Sequence, residues 1–435
     1  MEDRHKLSLP AAIFININII MGSGIFINTI ELARRAGILG GFMYLLMCLL
    51  LLPLIASIAT LVNLHPNGGF YMFGKQEIGP LFGFISSWSY FIGKLASTGL
   101  SIHVAMTLLQ QIFPALACIH VLSLDVFVLA LFIFFNTLNL NTGKQIQYLF
   151  IFMKIIPLLF AILGGIYLFS TETIVTEMPA IWSGITISLP LVLYASTGFE
   201  AACSISSRIR NGKYNAPIAI YTSFLTVLLF SFLYQFIFSL AIGTPLGMFD
   251  SYLQAFPALI MRLFTNPYLM RKLLGLINIA IACSSLGAAY GLIYSNNWNL
   301  YTLAQHNHTF SKHMLTKFNQ HYIPAGCILI QGLLVLLYFA ITKGSQLPLQ
   351  QLGALGATIA YSISVLSLLF AKYNKPHLTI SWFIPLLGLV NCLFLVSSCI
   401  SSFFVSGLFP LIVFSLLLLF GISMFFITKQ RQQSA

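Results

Sequence analysis

Two short glycine-containing runs interrupt apolar segments, and their backbone groups could bind a small charged molecule. The first is Met21-Gly22-Ser23-Gly24-Ile25 and the second is Ala195-Ser196-Thr197-Gly198-Phe199-Glu200. A helix that restarts at the first run presents amides without intrahelical partners near Gly22 to Ile25, which attract an anion such as a carboxylate. A helix that ends at the second run leaves carbonyls near Ala195 to Thr197, which attract a cation. Together the runs fit the zwitterionic backbone of an α-amino acid. Either run alone also fits a glycine that lets two helices pack closely.

Three charged residues lie inside apolar segments, where a charge at the bilayer centre costs about 2.5 to 3.5 kcal/mol. Glu200 could sense protons, or could only cap the half-helix that follows the second run. Lys94 shares a helix face with Thr98 and Ser101, and could pair with Glu200, contact an acidic substrate, or turn toward the carbonyls of another helix. Lys154 could extend to the membrane interface. Tyr194 could form an aromatic wall beside the site or serve only in packing.

The composition indicates which kind of element positions these residues. Of the 435 residues, 58% are hydrophobic and 7% are charged, and the mean hydropathy is +0.93. Such a chain is an integral membrane protein, and its length allows about twelve transmembrane helices. We predict spans at 9–32, 39–63, 81–112, 121–139, 146–169, 181–207, 216–243, 272–303, 323–342, 350–371, 382–403 and 406–428.

The net charge of +12 predicts membrane orientation rather than a nucleic-acid partner, because the basic residues are dispersed singly through loops. With a cytoplasmic N-terminus, the inner loops hold more lysine and arginine than the outer loops. The positive-inside rule therefore places both termini in the cytoplasm. We expect a multi-pass protein of the cell (inner) membrane.

Four motifs resemble those of the amino acid, polyamine and organocation transporter superfamily, specifically its bacterial amino-acid antiporters and permeases. Besides the two interrupted runs, the matching segments are His65-Pro66-Asn67-Gly68-Gly69-Phe70-Tyr71 with Gly79-Pro80-Leu81-Phe82-Gly83-Phe84, and Asn211-Gly212-Lys213-Tyr214-Asn215-Ala216-Pro217. The resemblance covers nearly the whole chain. It implies the leucine-transporter fold in one domain, with inverted repeats of five helices at about 9–169 and 181–371, accessory helices at about 382–428, and discontinuous helices one and six.

The resemblance also implies roles for the buried lysines. Several sodium-independent members carry a lysine at the position of Lys154, and its ammonium is similar to a replacement for a sodium ion between helices one and eight. Ser284 and Ser285 keep the alternative of a sodium site open. The same alignment places the helix face that carries Lys94 against the substrate pocket.

We predict a secondary active amino-acid transporter that is proton-coupled or exchange-type, sodium-independent, works by alternating access and contains no cofactor or metal site. The alternatives are a polyamine or organic-cation exchanger, and a transporter-like sensor that binds an amino acid without net transport. Enzyme chemistry is not expected, because no cluster of nucleophile, base and orienting group is present. The cluster of His306, His308, His313 and His321 could form a metal site or a pH sensor. Its irregular spacing and the lack of a carboxylate or cysteine in the segment favour a solvated loop. The protein is expected to be a monomer or homodimer.

The predicted substrate-binding residues are Gly22, Ser23, Gly24, Ile25, Lys94, Thr98, Tyr194, Ala195, Ser196, Thr197 and Gly198, and Glu200 and Lys154 are predicted to act in coupling.

Overall fold

The computed structural model describes residues 6–65, 69–138, 140–171, 178–204, 206 and 209–433. Pro66, Asn67 and Gly68 of the third motif lie outside these ranges, as do the predicted ends of the fourth and sixth spans at residues 139 and 207. The helices are α1 (Leu9–Ile20), α2 (Gly24–Ala36), α3 (Leu39–Leu64), α4 (Phe70–Glu77), α5 (Pro80–Gln110), α6 (Pro114–Ala117), α7 (Val121–Asn136), α8 (Leu140–Thr171), α9 (Ile185–Ser196), α10 (Ala201–Ser204), α11 (Gly212–Ile242), α12 (Ala255–Leu263), α13 (Pro267–Gln305), α14 (Lys312–Thr316), α15 (Ala325–Thr342), α16 (Gln346–Asn374), α17 (Phe383–Ser406) and α18 (Phe409–Gln433).

The helices confirm an all-helical protein that crosses the membrane many times. Among the described residues, nine helices are long and apolar enough to span a bilayer, and α1 with α2 forms a tenth span that bends by 41° at its break. Two shorter apolar helices, Val121–Asn136 and Trp182–Ser196, lie where the fourth and sixth spans are predicted. The described helices therefore account for ten to twelve spans.

The two broken spans run antiparallel and are tied together at both ends. At one end, Leu7 forms a bridge with Ile209, and the amide of Arg210 donates to the Leu7 carbonyl over 2.9 Å. At the other end, Gly37 bridges Ala180. This pairing holds the two breaks at one depth. The five-plus-five inverted repeat and its residue boundaries stay a prediction.

Burial separates a central group of helices from a peripheral group. In the most apolar stretch of α5, 83% of the residues are buried, against 28% in α18. The α13 and α16 helices are also mostly buried, and both pack against α5. Large apolar side chains such as Phe404 and Leu416 are exposed on the peripheral helices. In a membrane protein this surface contacts lipid tails, so its exposure carries no hydrophobic cost.

Two of the four histidines after α13 pack against the protein instead of lying in the predicted solvated loop, whereas His313 is exposed as predicted. His308 is buried, and its Nε2 lies 2.7 Å from the Tyr71 hydroxyl. The His306 Nδ1 lies 3.2 Å from the Lys75 ammonium. Both partners belong to α4, a helix that the spacing of apolar residues did not predict because it is short and amphipathic. Among the described residues no group of three or more potential ligands could hold a metal.

Candidate functional site

The first break leaves three backbone amides available at the start of α2. The chain leaves α1 with the amides of Met21 and Gly22 bonded to the Ile17 and Ile20 carbonyls, each over 2.8 Å. In the described part of the chain, the amides of Ser23, Gly24 and Ile25 donate to no backbone carbonyl. These amides form the positive end of a 13-residue helix, which favours an anion. The Gly22 amide, which we included in the predicted anion site, is therefore already used.

The second break faces the first across a very short distance. Helix α9 ends at Ser196, Thr197 is extended, and Gly198 has a φ of +123° that favours glycine. A Cβ atom on Gly24 would lie 3.0 Å from the Cα atom of Ala195. Glycine at position 24 is thus what allows the amide end of α2 and the carbonyl end of α9 to meet.

A polar side chain that the sequence analysis missed stabilises the second break. Asn16 is buried in α1, and its Nδ2 donates to the Phe199 carbonyl over 2.7 Å. The asparagine therefore satisfies a carbonyl that the break removes from helical bonding. Asn16 and Asn18 are the two asparagines of the otherwise apolar α1, and such polar residues in an apolar helix were the available signal.

A cavity lies between the two breaks, with a volume of about 300 Å³ when the open solvent at its mouth is included. Seven of the eleven predicted substrate residues line it: Gly22, Ser23, Gly24, Lys94, Tyr194, Ala195 and Thr197. The other lining residues are Ile19, Ile20, Ser97, Ser101, Ala288 and Leu292. All of these side chains or backbones come from α1, α2, α5, α9, α13 and the two breaks, so the cavity is central to the helical bundle.

Four predicted residues do not line the cavity, namely Ile25, Thr98, Ser196 and Gly198. The Thr98 hydroxyl donates to the Lys94 carbonyl over 2.9 Å, and the Ser196 hydroxyl donates to the Val192 carbonyl over 2.7 Å. Both hydroxyls therefore bond to their own helices. Ser97 and Ser101, from the same helix as Thr98, reach the cavity because α5 is rotated to present them.

Ser23 supplies an unpaired polar group at the centre of the site. Its side chain is fully buried, and its Oγ has no hydrogen-bond partner in the described structure. A buried hydroxyl without a partner is costly unless a ligand or water satisfies it. Tyr194 lines the same cavity. The aromatic ring therefore forms one wall of the cavity.

Lys94 and Glu200 form a buried ion pair beside the cavity. The Lys94 ammonium lies 2.9 Å from Glu200 Oε1, and Glu200 Oε2 accepts a hydrogen bond from the Gly198 amide over 2.8 Å. The Lys94 ammonium also lies 5.2 Å from the centre of the Tyr90 ring. Two sequence-based alternatives thus hold together: the glutamate caps the break and pairs with the lysine.

Lys154 crosses from α8 to the end of α1. Its ammonium donates to the Asn18 carbonyl over 2.8 Å and to the Met21 carbonyl over 2.7 Å. The Ser284 hydroxyl from α13 donates to the same Met21 carbonyl over 2.9 Å. Lys154 is fully buried and has no carboxylate partner among the described residues. Backbone dipoles at the break therefore balance its charge, and the lysine does not extend to the interface.

Comparison with known proteins agrees with this arrangement. The family model described as amino acid permease matches residues 7–427. The chain belongs to the amino acid permease family. Membership of this family agrees with the many membrane spans of the fold.

Relatives of this permease family member include eukaryotic and bacterial proteins. One is isp5 of Schizosaccharomyces pombe, assigned as an amino-acid permease of the sexual differentiation process, which is 24% identical over 66% of this chain and 51% of its own length. An uncharacterized transporter of Mycobacterium tuberculosis is 31% identical over 27% of this chain and 26% of its own length. The chain thus spans about half the length of isp5 and about a quarter of the length of the mycobacterial transporter.

Proposed function

We propose that this permease is a secondary active transporter that binds zwitterionic α-amino acids between the two helix breaks. The observation that carries the proposal is the approach of the free amides of Ser23, Gly24 and Ile25 to the carbonyl end of α9. The amides bind the substrate carboxylate, and the carbonyls of Ala195 to Thr197 bind its ammonium group. The unpaired Ser23 hydroxyl gives the carboxylate a further donor.

The charges around the cavity favour an amino acid over a polyamine or other organic cation. Lys94 lines the cavity and is neutralised by Glu200, while Lys154 adds a further positive charge behind the first break. A polycation would need carboxylates that exceed the lysines, and Glu200 is already paired. A ligand with its own carboxylate has a favourable partner in the α2 amides.

Transport is proposed to be sodium-independent because the Lys154 ammonium already binds backbone carbonyls at the end of α1, beside α13, the eighth predicted span. Lys154 and the Ser284 hydroxyl both bond to the Met21 carbonyl. A second cation at this point would meet the fixed charge of Lys154.

Coupling is proposed to act through Glu200, either by proton binding or through exchange of one substrate for another. Protonation of Glu200 would neutralise the carboxylate and weaken its pairing with Lys94. The paired helices α1–α2, α3, α9–α10 and α11 would then rock against the rest of the bundle, with both termini in the cytoplasm. The proposed location is the cell (inner) membrane.

Counterflow into proteoliposomes tests the proposed function. Vesicles loaded with unlabelled amino acid should accumulate the labelled amino acid in a saturable way, equally in sodium and choline buffers. Binding of the amino acid without counterflow would instead identify a sensor. Accumulation that requires sodium would contradict the role of Lys154, and uptake restricted to polyamines would contradict the zwitterion site.

A further inference from the structure

A second cavity lies away from the substrate site and shares no lining residue with it. Its volume is about 810 Å³ when the open solvent at its mouth is included. The walls come from α5, α13, α14, α15 and α18, together with the segment that precedes α14. Representative lining residues are Trp88, Leu300, Met314, Ile330, Tyr338 and Phe420.

The walls of this cavity are largely apolar and favour a hydrocarbon ligand. The Trp88 ring nitrogen donates to the Leu417 carbonyl over 2.9 Å, and the Tyr338 hydroxyl donates to the Ile92 carbonyl over 3.1 Å. These two aromatic residues therefore present only apolar surface. Met314 and Phe420 line the cavity and are also exposed, so the cavity opens to the outside of the bundle. For a membrane span that outside is the acyl region of the bilayer.

Polar groups gather at the α14 end of the cavity. Thr309 is 7% exposed, and its Oγ1 has no hydrogen-bond partner in the described structure. Ser311 also lines the cavity. A hydroxyl pair at one end of an apolar cavity matches a molecule with a long hydrocarbon chain and a polar ester.

The surface at the α14 end of the cavity carries lysines, and the part of the chain that forms this end contains no acidic residue. Lys312 and Lys317 are exposed on and beside α14. Lys429 is exposed near the end of α18, about 7.5 Å along the helix axis from the lining residue Met424. No aspartate or glutamate follows Asp250 in the chain. An anionic head group complements this surface.

We propose that this cavity binds one acyl chain of an anionic phospholipid. The chain lies against Trp88 and Ile330, the ester region reaches Thr309 and Ser311, and the phosphate contacts Lys312 and Lys317. The site is independent of amino-acid transport and would be occupied whichever substrate the protein carries.

Quenching of Trp88 by lipids with brominated acyl chains tests this site. The other tryptophans (Trp182, Trp298 and Trp382) are replaced by phenylalanine, and the protein is reconstituted with brominated phosphatidylglycerol or phosphatidylcholine. We expect Trp88 to be quenched at lower mole fractions of phosphatidylglycerol. Ile330→Phe, which fills the cavity, should reduce quenching at least twofold. The matched control is Leu329→Phe, which changes an exposed neighbour on the same helix that does not line the cavity.

The head-group preference gives a second measurement. Removing Lys312 and Lys317 as Lys312→Gln and Lys317→Gln should lower the preference for phosphatidylglycerol roughly fivefold per lysine. Native mass spectrometry of the unaltered protein should show retained phosphatidylglycerol over phosphatidylcholine, which avoids dependence on variant folding. Equal retention of the two lipids, or quenching that Ile330→Phe leaves unchanged, would overturn the proposal. So would a dimer that Ile330→Phe dissociates, since a second copy would then occupy the cavity.

Discussion

At the scale of single residues, two buried lysines are neutralised in different ways. Lys94 has a carboxylate partner 2.9 Å away in Glu200, whereas Lys154 has two backbone carbonyls. Substitution therefore has different consequences at the two positions. Removing one member of the Lys94–Glu200 pair leaves the other charged, buried and uncompensated. Removing the Lys154 ammonium leaves two backbone carbonyls that a metal cation could bind.

The Lys94–Glu200 pair predicts a non-additive effect on stability. Lys94→Met alone should lower the free energy of unfolding by about 3 to 5 kcal/mol, because Glu200 is left charged and buried. Combining it with Glu200→Gln should recover most of that loss. Thermal unfolding of the three variants in detergent measures the cycle. Additive losses would show that the two residues do not interact.

The same carboxylate predicts the pH dependence of transport. Glu200→Gln should give counterflow that no longer varies with pH, because its amide cannot bind or release the proton. The variant should be less stable because Lys94 loses its partner, so counterflow is compared per amount of folded protein in the vesicles. An unchanged pH profile would reject Glu200 as the proton-binding group and leave the capping role shown by its bond to the Gly198 amide.

Lys154→Ala should abolish counterflow or create a requirement for sodium. The substitution frees the Asn18 and Met21 carbonyls beside Ser284, and such oxygen ligands suit a hard cation. Counterflow in sodium and in choline measures the difference. Sodium-independent activity at the level of the unaltered protein would contradict the proposed replacement of the ion.

At the scale of elements, the contact between the two breaks depends on the absence of a side chain. Gly24→Ala should abolish counterflow and cost about 1 to 3 kcal/mol of stability, because its Cβ would lie 3.0 Å from the Cα atom of Ala195. Gly275→Ala is the matched control, since the atom nearest to its Cβ is 3.9 Å away. Full activity of Gly24→Ala would mean that the breaks need not approach so closely.

The packing of the histidine segment on α4 predicts a loss of stability in acid. Burial, with His306 and Lys75 as smaller contributions, lowers the pKa of His308 to about 4, and burial followed by Lys75 lowers the pKa of His306. The unfolded segment binds protons near pH 6.5, so stability should fall as pH decreases from about 6.5 to 4. His308→Gln should flatten this profile, whereas the exposed His313→Gln should not. Thermal unfolding across this pH range provides the measurement.

At the scale of the whole molecule, the exposed free thiol of Cys118 tests the predicted orientation. Cys118 lies between α6 and α7 and is exposed, while the other described cysteines are buried or half-buried. With both termini in the cytoplasm, this segment faces outward. A membrane-impermeant maleimide should label intact cells, and Cys118→Ser should remove the label. Labelling only after the cells are opened would reverse the orientation.

The sequence by itself determined the membrane class, the order of the spans and the positions of both breaks. These features depend on local composition: apolar length requires helices in lipid, and glycine permits a break. Only the tertiary structure decided which groups meet. It paired Lys94 with Glu200, directed Ser97 rather than Thr98 into the cavity, placed Asn16 on the Phe199 carbonyl and buried His308 against Tyr71. Each of these contacts depends on how helices distant in sequence rotate and pack, and residue spacing within one helix carries no information about that rotation.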